Sequence, residues 1–378
     1  MSIEIRQHTP GKDLKHFMRV PYEVFKHDSV WVPPLNMIVV DRLSPSKNPL
    51  FQHADVALFT AWKNGRLAGR ISAQVDRNHL KQYNDSTGFF GFFDTIDDQE
   101  VACRLIETAG DWVHKRGMKR LRGPLTLSIN EEVGTLVDGF DTPPMFMMPH
   151  STRYQGALAE ASGMKKAKDF FAWIFNIAEP KQRAVRAWEQ INQMPEVRLR
   201  TADSSRLEDE IRTLLEVYHE AWYENWGFLP TTEAEGKKAT EDMKFVLNPE
   251  FVFFYEIDGE PAGFCLALPN LNEAIRDLDG KLFPFGFAKL LWRLKVSHPK
   301  TARVVMLGIK KKFRNKKKYG GLAFAICVEI CKRGVKNGYQ SAELSWTLED
   351  NTPVNLTIRA MGGKKYKTYR VYEKSLES

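Results

Sequence analysis

The chain has little of what marks secreted or membrane-spanning proteins. Its 378 residues include only four cysteines, Cys103, Cys265, Cys327 and Cys331, which agrees with a reducing compartment. No uninterrupted apolar stretch approaches the ~20 residues that a membrane span needs. The first residues, MSIEIRQ, lack the hydrophobic region of a signal peptide. We therefore expect a cytoplasmic protein.

Metal-ligand patterns are scarce as well. Cys327 and Cys331 lie one helical turn apart, a spacing that permits chelation, but no matching Cys or His pair lies nearby in the sequence. Two thiols packed along a helix explain this spacing better. We expect no metal.

The composition is that of a soluble globular protein, with 43% hydrophobic and 27% charged residues. The length predicts about two domains, each large enough to bury its own core. The net charge of +8 indicates an anionic partner, whether cofactor phosphates, acidic lipid or nucleic acid.

A strongly basic loop joins a buried strand to a helix in the second half. Val304 to Leu307 form a continuous apolar run, and the apolar residues between Gly321 and Val335 recur at helical spacing. Seven of the nine residues from Lys310 to Lys318 are cationic. A helix N-terminus suits a pyrophosphate, and Gly320 and Gly321 lack the Cβ atoms that would keep phosphates from the backbone. The alternatives are a solvated lysine face and a nucleic-acid patch. Against nucleic acid, the run has one aromatic pair, Phe313 and Tyr319, and no wider stacking platform of the kind that single-strand binders use.

The residues after the next strand carry a resemblance to a known family. Ser345 to Arg370 reads SWTLEDNTPVNLTIRAMGGKKYKTYR. The order of strand, cationic glycine loop, helix and strand, followed by Asn351 and a Met-Gly-Gly turn, resembles the acyl-CoA-binding half of the GNAT superfamily of N-acyltransferases. The resemblance implies acetyl-CoA or a longer acyl-CoA as cosubstrate. It implies that the cofactor-binding residues are Leu307, Ile309, Arg314, Lys316, Lys317, Lys318, Tyr319, Gly320, Gly321 and Asn351.

The chain departs from the family pattern at the general acid. Many members carry a tyrosine where this chain has Ile358, so the protonation of the leaving thiolate is vacant or falls to Tyr366 or Tyr369. The resemblance also implies an oxyanion contact from a backbone N–H around Leu307, Gly308 or Ile309, and Gly308 permits a close approach.

Strand alternation selects a candidate base. On Ser341 to Thr347, the residues Ala342, Leu344 and Trp346 share one face, and Glu343, Ser345 and Thr347 share the other. We therefore expect Glu343 to point towards the substrate from a mostly apolar sheet. In the first half, His150, Asn130 and Glu131 lie in loops, which carry more than their share of function.

The first half repeats the same order in weaker form. Asp94, Asp97 and Asp98 precede its helix, where a phosphate would need cations, and we expect them to cap the helix instead. The predicted fold class is α/β, with two GNAT-like domains in tandem, each a mixed, mostly antiparallel twisted sheet flanked by helices. The predicted boundaries are 1–178 for the degenerate domain, 179–195 for a linker helix and 196–378 for the acyl-CoA-binding domain.

The predicted activity is acyl transfer from a CoA thioester to an amine. The segments NWGF, LFPFG, SWTLEDN and YKTYR are also similar to the two-domain bacterial group related to bacterial ceramide synthases. That resemblance implies a long-chain acyl donor and a sphingoid-type amine. The alternatives are a non-catalytic GNAT-fold module that binds CoA or lipid, and a basic nucleic-acid-binding protein, although we expect no specific nucleic acid.

The segment from Lys281 to Val296 has a pattern that is typical of a helix on a membrane surface. After Gly286, the residues Phe287, Leu290, Leu291 and Leu294 follow one helical face, and Lys289 and Arg293 follow another. Such a helix either packs on its own core or lies on an anionic membrane, rimmed by Phe283, Phe285 and Trp292.

Overall fold

The computed structural model describes residues 2–243 and 246–377. Its contacts divide the chain into two compact units. Unit 1 comprises Met1–Phe170, Ile275–Gly286 and Lys367–Ser378, and unit 2 comprises Phe171–Ala274 and Phe287–Tyr366. Each unit has its own hydrophobic clusters. The boundaries drawn from the sequence assume two consecutive domains and stay a prediction.

The strands contain many of the buried residues. They are β1 (Ile3–His8), β2 (Ala54–Lys63), β3 (Arg66–Asp76), β4 (Thr87–Thr95), β5 (Arg120–Gly123), β6 (Thr135–Asp138), β7 (Lys165–Asn176), β8 (Val197–Thr201), β9 (Val252–Ile257), β10 (Glu260–Pro269), β11 (Thr301–Ile309), β12 (Ser341–Leu348) and β13 (Lys364–Ser375).

The helices flank these strands. They are α1 (Lys15–Val24), α2 (Asn36–Arg42), α3 (Arg77–Tyr83), α4 (Gln99–His114), α5 (Gln155–Ala161), α6 (Gln182–Asn192), α7 (Leu207–Trp222), α8 (Glu233–Met243), α9 (Leu271–Ile275), α10 (Gly286–Trp292), α11 (Lys311–Arg314), α12 (Leu322–Lys336) and α13 (Thr352–Ala360).

In unit 1 the strands follow the order β1, β2, β3, β4, β5, β13, with β6 also paired to β13. The pairing is antiparallel except between β4 and β5. Helix α4 packs on this sheet because Val101, Leu105 and Val113 recur along one face and are fully buried. Asp98 caps α4 by accepting from the N–H of Val101 at 3.1 Å, as the sequence predicted.

In unit 2 the strands follow the order β12, β11, β10, β9, β8, with the 171–176 part of β7 beside β12. The printed registers are antiparallel except between β11 and β12, which run parallel. Helices α6 and α12 contribute Ile191, Leu322 and Ile326 to the core on one face of the sheet. Helix α7 contributes Leu214 and Val217 to the cluster that contains Phe254 and Phe264. The mixed, mostly antiparallel α/β fold is therefore confirmed.

Some local expectations were wrong. The chain after Asn351 forms helix α13, which was not predicted, before the expected Met-Gly-Gly turn. Strand alternation placed Trp346 on the same face of β12 as Leu344. Trp346 instead packs against Trp222 of α7, and its neighbour Thr347 accepts a hydrogen bond from Trp173. Around the predicted surface helix, Phe283 and Phe285 of unit 1 are exposed.

Candidate functional site

Strands β11 and β12 of unit 2 pair for only part of their length. Their parallel register runs from Thr301 opposite Ser341 to Val304 opposite Leu344. Strand β11 continues to Ile309 and β12 to Leu348, and these described ends are not in register with each other. The register of β10 also shifts opposite this point, between Leu266 and Ala267. The two strands therefore separate and leave a gap bordered by backbone groups.

The N–H groups that face this gap can be identified from the ladder on the other side. The N–H of Lys310 donates to Ala262 of β10 at 2.9 Å. Because alternate residues of a strand direct their N–H groups to the same edge, Gly308 also points to β10, and Leu307 and Ile309 point to the gap. The carbonyl of Leu307 accepts from Trp222 Nε1 at 3.1 Å, which agrees with this assignment.

Gly308 has a packing role in addition to any role in binding. A Cβ atom at this position would lie 2.8 Å from the ring of Phe264 and 3.1 Å from Ala221. The glycine therefore lets α7 approach β11. Its N–H points away from the gap, so the alternation favours Leu307 and Ile309 for an oxyanion contact.

Aromatic side chains from α7 and the following loop border the same region. Trp222 and Trp346 meet edge to face, with ring centroids 5.8 Å apart. Tyr218 packs on Phe228 at 5.5 Å, and both are buried. This aromatic cluster is therefore largely core, whereas Tyr223 is exposed.

A buried polar network surrounds Glu343 on β12. Glu343 is fully buried, and its carboxylate accepts hydrogen bonds from the hydroxyls of Ser345 and Tyr366. Arg303 Nε donates to Ser345 Oγ at 2.8 Å and lies 3.8 Å from the carboxylate. A buried carboxylate is tolerated when a cation and hydrogen-bond donors compensate its charge. The network therefore holds a carboxylate and a phenol in direct contact inside unit 2.

The two tyrosine candidates have different surroundings. Tyr366 is half-buried and contacts Glu343. Tyr369 belongs to unit 1, where it is fully buried on β13 opposite Leu136 of β6. Ile358, at the position of the family tyrosine, is 2% exposed and packs with Trp173 and Met361. That position is therefore a core position in this chain.

The basic segment is not a uniform cationic loop. Lys310 is nearly buried and contacts Glu216 at 2.9 Å and Glu260 at 3.1 Å. Burial opposes its charge, but these hydrogen bonds outweigh the burial and raise the pKa of Lys310. Lys311 pairs with Glu224, Lys312 with Glu260, and Lys318 with Glu196. The carboxylates of unit 2 thus neutralise much of the run.

Three cations of the run are left for an external anion. Within the described chain, Arg314, Lys316 and Lys317 have no carboxylate within 4 Å. Helix α12 begins at Leu322, a few residues further on, with Gly321 as its N-cap, and no side chain of the described residues caps its first N–H groups. Unpaired N–H groups and nearby cations favour an anionic ligand.

A groove of about 460 Å³ lies between α6 and the start of α12. Its lining residues are Gln182, Arg183, Arg186, Ala187, Gln190, Gly320, Gly321 and Phe324. Gly321 allows the two helices to approach, because a Cβ there would lie 3.3 Å from Ala187 Cβ. The sequence analysis assigned α6 to a linker helix and did not include Arg183 and Arg186 among the binding residues. Their three-residue spacing, which places them on one helical face, was the available signal.

The other predicted cofactor residues have structural partners. Asn351 is the N-cap of α13, where its side chain accepts from the N–H of Val354 at 3.4 Å. Tyr319 is buried and packs edge to face on Phe313, with centroids 6.0 Å apart. Their predicted contacts with the cosubstrate stay predictions.

Polar loop residues of unit 1 form pairs of their own. His150 Nε2 lies 2.7 Å from Asp28, and burial lowers the pKa of this histidine. Glu131 pairs with Arg42 at 3.0 Å. Among the described residues, no group of three or more His, Cys, Asp or Glu is arranged to hold a metal ion. In the same part of the chain, no helix is long and apolar enough to cross a membrane.

Comparison with known proteins identifies relatives along the whole chain. No family model matches. The chain is 45% identical over 374 residues to a bacterial ceramide synthase of Caulobacter vibrioides, covering 97% of this chain and 96% of that protein. It is 36% identical over 374 residues to protein YghO of Escherichia coli, covering 98% and 95%.

Solved structures share the fold at low sequence identity. A tandem GNAT protein from the clavulanic acid biosynthesis pathway gives a TM-score of 0.57 at 12% identity, covering 100% of this chain and 99% of that chain. A GCN5-related N-acetyltransferase from Sphaerobacter thermophilus gives 0.56 at 14% identity, covering 100% and 96%. The chain has the tandem GNAT fold and belongs to the family of the bacterial ceramide synthase.

Proposed function

We propose that the protein is an N-acyltransferase that moves an acyl group from a CoA thioester to an amine. The separation of β11 and β12 carries this proposal, because it opens a sheet beside a cationic helix N-terminus. A thioester in that gap would have the N–H groups of Leu307 and Ile309 as oxyanion donors. The family relationship supports the same activity, since the Caulobacter relative is a ceramide synthase by name.

The phosphates of CoA would lie at the start of α12. Its first N–H groups, together with Arg314, Lys316 and Lys317, supply donors and positive charge there. Arg183 and Arg186 line the adjoining groove, whose 460 Å³ fits part of a nucleotide. Lys310 to Lys312 would serve the fold instead, because carboxylates of unit 2 hold them.

Glu343 and Tyr366 would carry the proton transfers. The amine nitrogen attacks the thioester carbon, the C–S bond breaks, and the amine loses one proton while the thiolate gains one. Glu343 takes the proton from the amine, and Tyr366 gives its proton to the thiolate. A proton crossing the hydrogen bond between the two groups restores both side chains after each turnover.

We propose a long-chain acyl donor and a lipid amine of the sphingoid type as acceptor. The support is the name of the Caulobacter relative together with the apolar, aromatic border formed by Trp222 and Trp346. A long-chain amine resides in a bilayer, so we place the reaction at the cytoplasmic face of the membrane.

Thiol release tests the activity directly. The purified protein is mixed with acetyl-CoA or palmitoyl-CoA and a panel of short and long amines, and the products are identified by mass spectrometry. Amide formation with at least one amine is the expected result. Stabilisation by CoA without any amide would favour the non-catalytic alternative, which the burial of Ile358 also favours.

A further inference from the structure

Helix α10 and the turn after it present apolar side chains to solvent. Phe287, Leu291, Trp292 and Val296 are 52%, 41%, 57% and 62% exposed. We call these four residues the α10 face. Single exposed apolar residues are common on soluble proteins, but four within ten residues of one helical segment mark an interaction surface.

The α10 face is held in this orientation by the other side of the segment. Leu290 is 9% exposed, and Leu294 is half-buried. Arg293 donates to the carbonyl of Ala274 at 2.8 Å. The four apolar residues that the sequence places on one helical face therefore differ in exposure, because Leu290 and Leu294 are more buried than Phe287 and Leu291. The segment packs through one side and still exposes the other.

Within the stretch of sequence that contains the α10 face, the charges are all of one sign. From residue 280 to residue 300 the sequence has no Asp or Glu, and its cations are Lys281, Lys289, Arg293, Lys295 and Lys300. Lys289 and Lys295 are exposed beside the apolar side chains. An apolar surface with a basic border complements an anionic bilayer, and tryptophan favours the headgroup region. A second copy of the same face would bring like charges together.

We propose that the α10 face inserts into the headgroup region of a bilayer that contains anionic lipid. The contact rests on the proposed function for its purpose, because a long-chain amine must be taken from a membrane. It can be measured without any turnover, so the two proposals can fail separately.

Vesicle sedimentation tests the contact. The full chain is mixed with phosphatidylcholine vesicles that contain either no or about one-third phosphatidylglycerol, at low and high salt. We expect pelleting only with the anionic vesicles and release as salt rises. Phe287→Asp with Trp292→Asp should lower the partition coefficient at least tenfold, and Lys295→Glu should lower it about fivefold.

The matched control is Val335→Asp with Leu356→Asp, two comparably exposed residues of the same unit, which should pellet like the wild type. Thermal melting checks that every variant is folded. Equal pelleting of the wild type and the Phe287/Trp292 variant overturns the proposal, as does a wild type that stays in the supernatant with all vesicles. If the wild type forms a dimer, does not bind vesicles, and loses the dimer only in the Phe287/Trp292 variant, the α10 face contacts a second copy of the chain instead. Vesicle binding without acyl transfer to any amine would leave the contact standing and remove the proposed function.

Discussion

At the scale of single residues, Glu343 lies in a network of contacts with three other residues from different parts of the chain. Strand alternation predicts that Glu343 and Ser345 share a face, and the hydrogen bond between them confirms it. The contacts with Arg303 and Tyr366 join residues 40 and 23 positions away from Glu343 in the chain. No local pattern encodes such pairs, because sheet neighbours are set by tertiary folding.

The first prediction concerns Tyr366. Tyr366→Phe removes the hydroxyl that contacts Glu343, and we expect turnover to fall about ten- to ten-thousand-fold with little change in the KM for acyl-CoA. Steady-state thiol release measures both constants. The same substitution at Tyr369 tests the other candidate, and an equal loss there would contradict the assignment of the acid to Tyr366. Glu343→Gln should lower the rate most at low pH, where free amine is scarce.

The second prediction separates the cations of the basic run. Arg314→Ala with Lys316→Ala and Lys317→Ala should remove the thermal stabilisation by CoA and leave the melting temperature of the free protein nearly unchanged. Lys311→Ala with Lys312→Ala is the matched control. It should retain the stabilisation, because these lysines already pair with Glu224 and Glu260. Loss of stabilisation in the control alone would place the phosphates at the other end of the run.

At the scale of elements, the regular strands and helices were predictable, and the contacts between them were not. The apolar run Val304 to Leu307 and the helical spacing after Gly321 correctly predict β11 and α12. Helix α13 was not predicted, although an N-cap Asn351 followed by Pro353 is a typical start of a helix. Helix α6 was predicted as a helix, but the groove it forms with α12 depends on packing across 130 residues of chain.

The third prediction concerns the packing of α7 on β11. Gly308→Ala places a methyl group against Phe264 and Ala221, closer than ordinary packing allows. We expect a loss of about 1–3 kcal/mol in the free energy of unfolding, the usual cost of overpacking a core. Urea unfolding measures this loss. Unchanged stability would show that α7 yields easily and that Gly308 is kept for another reason.

At the scale of the whole molecule, the sequence predicted two similar halves, and the structure has the tandem GNAT fold. The sequence did not predict that the C-terminal residues of β13 belong to unit 1, where Tyr372 pairs opposite Gly123 of β5. The sequence pattern of a terminal strand does not identify the strand with which it pairs, because alternating apolar and polar residues fit any sheet edge of suitable polarity.

The fourth prediction is a pH dependence that separates the units. Burial lowers the pKa of His79 and of His150 in unit 1, although Asp85 and Asp28 oppose this. Below their ordinary pKa of about 6.5 these histidines bind protons in the unfolded chain and resist protonation in the folded unit. The unfolded state then binds more protons, so the stability of unit 1 falls as pH decreases from 7 towards 5. Each proton that the unfolded state binds in excess changes the free energy of unfolding by about 1.4 kcal/mol per pH unit.

Hydrogen exchange with mass spectrometry measures this effect in each unit. After correction for the intrinsic pH dependence of exchange, peptides from β3 and β4 should lose protection at pH 5.5 relative to pH 7.5, more than peptides from β9 and β10. In unit 2, burial also lowers the pKa of His219, but that histidine is only half-buried. His79→Gln with His150→Gln should flatten the response of unit 1, because the side chains that gain protons on unfolding are gone. An unchanged response in this variant would assign the acid sensitivity to carboxylates such as Asp169, whose pairing with Arg370 and Lys166 outweighs burial and lowers its pKa.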